Sequence, residues 1–228
     1  MFILNIESSS TVCSVSLSLN GQTIFLKEEN NGFTHAENLH LFIEDVLKSG
    51  NIQASRLDAI AVGIGPGSYT GLRIGMSTAK GLCYALNKPL IGIASLQAMS
   101  AGVKEITEMK SGDVLIPLVD ARRMEAYFSV FDDQLNEIEK TDCKIITDES
   151  VADWRKYSST IFFGSGLEKS KNFLNKLPQP KFVESILPSA KWMEKLSYEK
   201  FRKKDFENIA YAEPLYAKEF FNTASQKE

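Results

Sequence analysis

The sequence predicts an α/β protein built from two similar lobes, each ordered β-β-β-α-β-α. Three observations support this. Short apolar runs rich in β-branched residues alternate with helix-periodic stretches. The order of elements over residues 2–86 recurs over residues 114–177. A polar stretch at 104–112, containing Ser111-Gly112, separates the two halves.

In the first half, residues 2–6, 12–19 and 23–28 read as strands. Ser8-Ser9-Ser10 and Asn20-Gly21 are turns between them, the second a strong hairpin signal. Thr34-His-Ala-Glu37 is a capping box. Leu39, Phe42, Ile43, Val46 and Leu47 then follow at the spacing of one helical face, and Gly50 closes the helix. Residues 57–64 have the length of a buried strand, residues 65–71 form a glycine turn, and residues 72–86 form a helix that stops at Asn87-Lys88-Pro89. In the second half, 114–119, 126–131 and 138–146 are strands, with Asp132-Asp133 as a turn. A helix at 150–157, a strand at 160–163, a βα turn at Gly164-Ser-Gly166 and a helix at 167–177 follow. The predicted lobes are residues 1–103 and 104–228, facing a cleft, as in the actin/Hsp70/sugar-kinase superfold. The polar tail from Thr223 is expected to fray.

A chain of 228 residues can bury a sizeable core, and 43% hydrophobic with 24% charged residues is ordinary for a globular protein. A net charge of -3 argues against a broad electrostatic grip on nucleic acid. Cys13, Cys83 and Cys143 have no metal spacing, and Cys13 and Cys83, within apolar stretches, read as buried free thiols. The N-terminal apolar run lacks a basic flank and is too short for a signal peptide, and no run approaches a membrane span. A cytoplasmic location is expected.

Residues 65–75 read Gly-Pro-Gly-Ser-Tyr-Thr-Gly-Leu-Arg-Ile-Gly, a turn that lets backbone approach an anion or another chain closely. Neither a Walker loop nor a complete dinucleotide fingerprint is present. The stretch resembles the signature of the bacterial TsaB family (formerly YeaZ), relatives of the tRNA-modification enzyme TsaD. The likeness extends over most of the chain and is strongest at residues 1–20, 57–93 and 120–127.

The resemblance implies the superfold named above and a role without catalysis. Kinases of that superfold place an acid and a glycine-containing phosphate hairpin after the first strand. Here Glu7, Ser8 and Ser9 stand there without glycine, a vestigial nucleotide site at most. TsaD carries a His-x3-His metal pair where this chain has Ser95 and Met99, so no metal and no cofactor are expected. His35 and His40 lie about 140° apart around one helix and read as an exposed and a boundary residue. No His-Glu-x-x-His and no Gly-x-Ser-x-Gly elbow occur, which leaves peptidase and hydrolase readings without support.

Gly71, Gly75 and Ala79 recur every fourth residue and imply close backbone contact. TsaB and TsaD associate through N-lobe helices, so this strip, with Leu39 and Phe42, is the expected partner interface; packing on the protein's own sheet is the alternative. Asp120-Ala-Arg-Arg123 matches a TsaB stretch, and Arg122 and Arg123 are either inter-subunit anion contacts or part of a solvated hairpin corner. Residues 190–204 are rich in lysine and arginine but have no interleaved stacking platform, which favours a solvated face over contact with tRNA phosphates. Pro214-Leu-Tyr216-Ala-Lys218 resembles the family's Pro-x-Tyr-x-Arg, with lysine replacing arginine. The resemblance therefore implies an accessory subunit of the tRNA threonylcarbamoyladenosine (t6A) machinery. Its partners would be a TsaD-like transferase and a TsaE-like ATPase. tRNA would be met only through the complex, no membrane is involved, and the chain would self-associate when alone. A small-molecule kinase or ATPase of the same superfold is the rival reading.

Overall fold

Two five-stranded mixed sheets organise the protein, whose computed structural model describes residues 1–32 and 35–217. The first comprises β1 (Phe2–Glu7), β2 (Cys13–Leu19), β3 (Gln22–Glu29), β4 (Ala59–Gly65) and β5 (Leu90–Ala94), in the order β3-β2-β1-β4-β5. Its helices are α1 (His35–Ser49), α2 (Tyr69–Leu86) and α3 (Ser95–Ile106). The second contains β6 (Asp113–Asp120), β7 (Glu125–Phe131), β8 (Glu137–Ile145), β9 (Ser159–Phe163) and β10 (Pro180–Val183), in the order β10-β9-β6-β7-β8. With it go α4 (Asp148–Ala152) and α5 (Leu167–Leu174), and α6 (Glu194–Lys203) follows. In each sheet the first three strands form an antiparallel meander, and the fourth and fifth run parallel to the first.

Strand β2 shows how the sequence sets the layers. Its period-2 alternation sends Val15 and Leu17 into the core beneath α1 and α2. Ser14, Ser16 and Ser18 are equally buried but hydrogen-bonded. Asn5 Nδ2 donates to Ser16 and Ser18 at 3.2 Å, Ser16 Oγ donates to the Ala190 carbonyl at 3.0 Å, and Ser197 Oγ donates to Asn5 Oδ1 at 2.7 Å. A hydroxyl ladder thus meets residues almost two hundred positions later, with its polar groups satisfied.

That contact locates the end of the described chain. After Ser189 the chain returns to the first sheet, where the 3-10 turn Ala190–Met193 and α6 join α3 on the face away from α1 and α2. The segment beyond continues as a strap. Glu207 N donates to Leu90 O at 2.9 Å and Leu215 N to Ile64 O at 2.7 Å, while Lys80 Nζ holds the carbonyls of Ala210 and Ala212 at 3.3 and 3.0 Å. A division at 103/104 therefore gives the second lobe a segment that packs on the first, and α3 itself runs on to Ile106.

The expected helix at 150–157 is shared between α4 and a 3-10 turn, Asp153–Lys156, that buries Trp154 completely. Strand β10, four residues that begin with proline, is an element the sequence reading lacked. Cys13 and Cys83 are buried free thiols, pushed up to about 11 and about 12 by burial; Cys143 is half-buried. Among the described residues no helix is long and apolar enough to cross a membrane. The proposed cap Thr34, Lys218 and the tail lie outside the described residues.

Candidate functional site

The glycine-rich turn brings α2 directly onto the turn between β1 and β2. Ser68 caps α2 by accepting from Gly71 N at 3.3 Å, and its own N–H donates to Ser9 O at 2.6 Å. Ser8 Oγ donates to Gly71 O at 2.9 Å. An added Cβ would collide with Ser9 O at Gly67, with Ser8 O at Gly71 and with Ser8 Oγ at Gly75. These glycines are there because one backbone lies against another.

The structure therefore corrects the expected interface strip. Gly71, Gly75 and Ala79 face the protein's own sheet and are buried, as are Leu39 and Phe42 in the core between that sheet and its helices. His35, expected to be exposed, is 1% exposed. Its Nε2 lies 2.7 Å from Ser10 O and its ring packs toward Gly71, because the β1–β2 turn extends over the start of α1. His40 is exposed.

Glu7, Ser8 and Ser9 do come together, but below the surface. Glu7 Oε1 accepts from Ser9 N and Oε2 from Ser95 Oγ, each at 2.8 Å, and Gly63 leaves room for the carboxyl. Burial pushes this carboxyl above its usual range, against the lowering effect of the Ser9 and Ser95 hydrogen bonds. Ser95 is thus a partner of Glu7, while Met99 is buried among Leu96, Val103 and Phe163. A phosphate could reach this acid only if the Ser8–Ser10 turn left the glycines it rests on.

The corresponding junction of the second lobe is open. Asp120 N donates to Ser165 Oγ at 3.0 Å, and Arg122 N to Asp120 Oδ1 at 2.8 Å. Lys169 of α5 reaches across to Asp120 Oδ1, to Arg123 O at 3.0 Å and to Glu125 O at 2.7 Å. Arg122 and Arg123 are consecutive residues in the left-handed region, with φ of 70° and 50°, a conformation that costs about 1 kcal/mol or more for each. Both side chains are exposed, and neither guanidinium has an ion pair among the described residues.

The outer face of the helix pair has a different composition. Ser77, Gly81 and Ala85 form a second strip of small residues on α2, exposed to solvent. A Cβ at Gly81 would meet open space, so no packing against the described residues explains that glycine. Leu41 on α1 is 47% exposed and Tyr84 on α2 is 84% exposed. At the start of α2, Arg73 lies over the Tyr69 ring at 4.3 Å and donates to Tyr216 Oη at 3.3 Å, fastening the strap there.

The family model described as "TsaD: tRNA N6-adenosine threonylcarbamoyltransferase" matches residues 29–211. A tRNA threonylcarbamoyladenosine biosynthesis protein TsaB from Haemophilus influenzae is 32% identical over 127 residues, 56% of this chain and 52% of its own length. YeaZ from Pseudomonas aeruginosa superposes with a TM-score of 0.78 at 25% identity, over 94% of this chain and 99% of that one. The chain belongs to the TsaD-related family, on its TsaB (YeaZ) branch. Its matched part spans about half the length of the first curated TsaB relatives. A Clostridium difficile activator of 2-hydroxyisocaproyl-CoA dehydratase, solved with bound ADPNP, superposes with a TM-score of 0.51 at 10% identity over 91% of this chain and 99% of that one. That likeness is one of fold alone and places the TsaB-type sheets in the actin-like class.

For a TsaB-type chain, then, the strip expected to face a partner faces the protein's own sheet, the alternative the sequence left open. The Ser77-Gly81-Ala85 strip is visible in the sequence at the same spacing as Gly71-Gly75-Ala79. Spacing groups residues on a face without saying which face meets the sheet. Lys169 was missed because it lies 49 positions from Asp120.

Proposed function

We propose that this TsaB-type chain is an accessory subunit of t6A biosynthesis that docks a TsaD-like transferase through the exposed faces of α1 and α2. The observation that carries the reading is the outward strip Ser77-Gly81-Ala85 beside Leu41 and Tyr84, a flat apolar surface on which a partner helix can approach closely. The names of the curated relatives support the pathway. A TsaE-like ATPase joins the assembly, tRNA is met through it, and the same helix faces self-associate in the partner's absence. Arg122 and Arg123 supply anion contacts across a subunit boundary, held out by the Lys169 anchor. The chain performs no transfer itself and acts in the cytoplasm.

Capture of the cognate TsaD-type transferase by the purified chain tests this reading. Leu41→Asp and Gly81→Leu should each weaken capture roughly tenfold, a loss of about 1.4 kcal/mol, with the melting temperature unchanged. Capture unaffected by both would remove α1 and α2 from the interface. ATP turnover by the chain alone at about 1 s⁻¹ or faster, abolished by Glu7→Ala, would favour the kinase reading.

A further inference from the structure

We infer that the groove between α6 and the strand ends of the first sheet binds a single nucleotide unit, an aromatic base with its phosphate. The groove has a volume of about 430 Å³, within the range of small-ligand sites. Tyr198, Phe201 and Phe206 give it an aromatic wall, and Arg202 and Lys204 give it positive charge.

The end of α6 explains how these side chains meet. Lys204 takes the left-handed conformation, φ 57°, and its N–H closes onto the carbonyls of Lys200 and Phe201. The chain then turns back, and Phe206 meets Phe201 edge-on at 5.6 Å and 61° while staying 39% exposed. Tyr198 is held from the other side, because an added Cβ on Gly21 of the β2–β3 hairpin would lie 3.1 Å from its ring. Tyr198 and Phe201 thus interleave the basic residues of α6 after all, and the fold completes the stacking platform with Phe206 from beyond the helix end.

The charges point to an anion. Lys195 is paired with Glu105 at 2.7 Å and Lys200 with Asp205 at 3.3 Å. Arg202 and Lys204 have no ion pair among the described residues, and Arg202 lies 6.0 Å from the Tyr198 ring centre. Asp58, the carboxylate in the lining, already accepts from Phe2 N at 2.7 Å. Two cations without an ion pair among the described residues, beside the exposed Phe206 ring and the half-buried Tyr198 and Phe201, match a base taken by stacking and a phosphate taken by charge. The groove lies on the α3 and α6 side of the sheet, in the layer opposite the helices proposed to dock the transferase.

This inference goes beyond the proposed function, in which tRNA is met through the assembly, by giving the chain a nucleotide contact of its own, and it rests on that reading only for the source of the nucleotide. AMP and an unmodified tRNA transcript are titrated separately into the full chain. Phe206→Ala and the pair Arg202→Ala with Lys204→Ala should each weaken binding at least fivefold or so, Phe206→Trp should restore it, and Lys140→Ala, on exposed β8, should leave it unchanged. Binding of AMP alone assigns a free nucleotide and binding of tRNA assigns the strand; either supports the site. No saturable binding of either below about 1 mM, or an equal loss from Lys140→Ala, overturns it. Melting curves identify a misfolded Phe206→Ala, and the Arg202/Lys204 pair then decides. Transferase capture by these variants reads out docking independently, so failure of the groove and failure of the docking face are seen separately.

Discussion

In the first lobe the β1–β2 turn lies beneath the start of α2, and its serines touch glycine after glycine. In the second lobe the β6–β7 turn stands clear of α5, and one lysine holds it from a distance. Topology is shared, and so is the position of a glycine turn after the fourth strand, at Gly65 and at Gly164. What differs is which groups fill the junction. Both lobes pack a glycine turn on backbone, Gly166 N donating to Leu118 O at 2.8 Å in the second. In the first the β1–β2 turn itself lies on the helix and Glu7 is buried, whereas in the second Lys169 and Ser165 bond the hairpin and leave Arg122 and Arg123 facing water. A repeated fold thus gives one junction closed on itself and one whose hairpin stays open to solvent.

The hardest test of that contrast is Gly75→Leu. A side chain there must displace Ser8, an overpacking cost of about 3 kcal/mol that should lower the melting temperature by roughly 6–12 °C while the folded fraction still captures the transferase. An unchanged melting temperature with lost capture would put the seam at the surface after all. Lys169→Met should cost less, about 1–2 kcal/mol, and should speed amide exchange at Arg122 and Glu125 without affecting the first lobe. Exchange that stays slow would mean the hairpin holds its own shape.

Glu7→Gln gives a smaller, pH-dependent difference. Because burial raises the Glu7 carboxyl above 4.5, the folded state keeps a proton the unfolded chain releases. The contribution is fully present below pH 4.5 and is lost as pH rises through the folded value, so wild-type stability falls over that window. The glutamine variant should match wild type at low pH and exceed it at pH 8 in paired melting curves. A constant difference at all pH values would show that Glu7 is not the titrating group. Smallest of all should be the effect of replacing Arg122 and Arg123 together by glycine, at most about 1 kcal/mol and toward higher stability, since glycine adopts these φ values freely but the added freedom of the unfolded chain offsets much of the relieved strain. A clear loss of stability would mean the arginines hold the hairpin rather than project from it.

Much of this architecture was legible from local pattern. Hairpin Asn20-Gly21, the stripe Leu39 to Leu47 and the run before Gly65 gave their elements to within a few residues. The orientation of α2 was not legible, because its two faces bear equivalent small strips and only the serines of a distant turn select one. β10 escaped because four residues starting with proline carry too little pattern. The groove at α6 escaped for a third reason: Gly21, Tyr198 and Phe206 share no stretch of sequence, and only the returning chain brings them together.

That returning chain also bears on how the protein is made. Ser14 meets the backbone of Ala190 across 176 positions, and β4 and β5 are bonded by residues beyond 206. During synthesis the first sheet therefore emerges with one face covered by α3 alone, and it stays so until residues 190–206 have followed. Closure over so long a span is slow, and a half-covered sheet face is sticky in the meantime. The nascent first half is where holding chaperones have most to do, and a chain stopped after the second sheet would leave the first half-built.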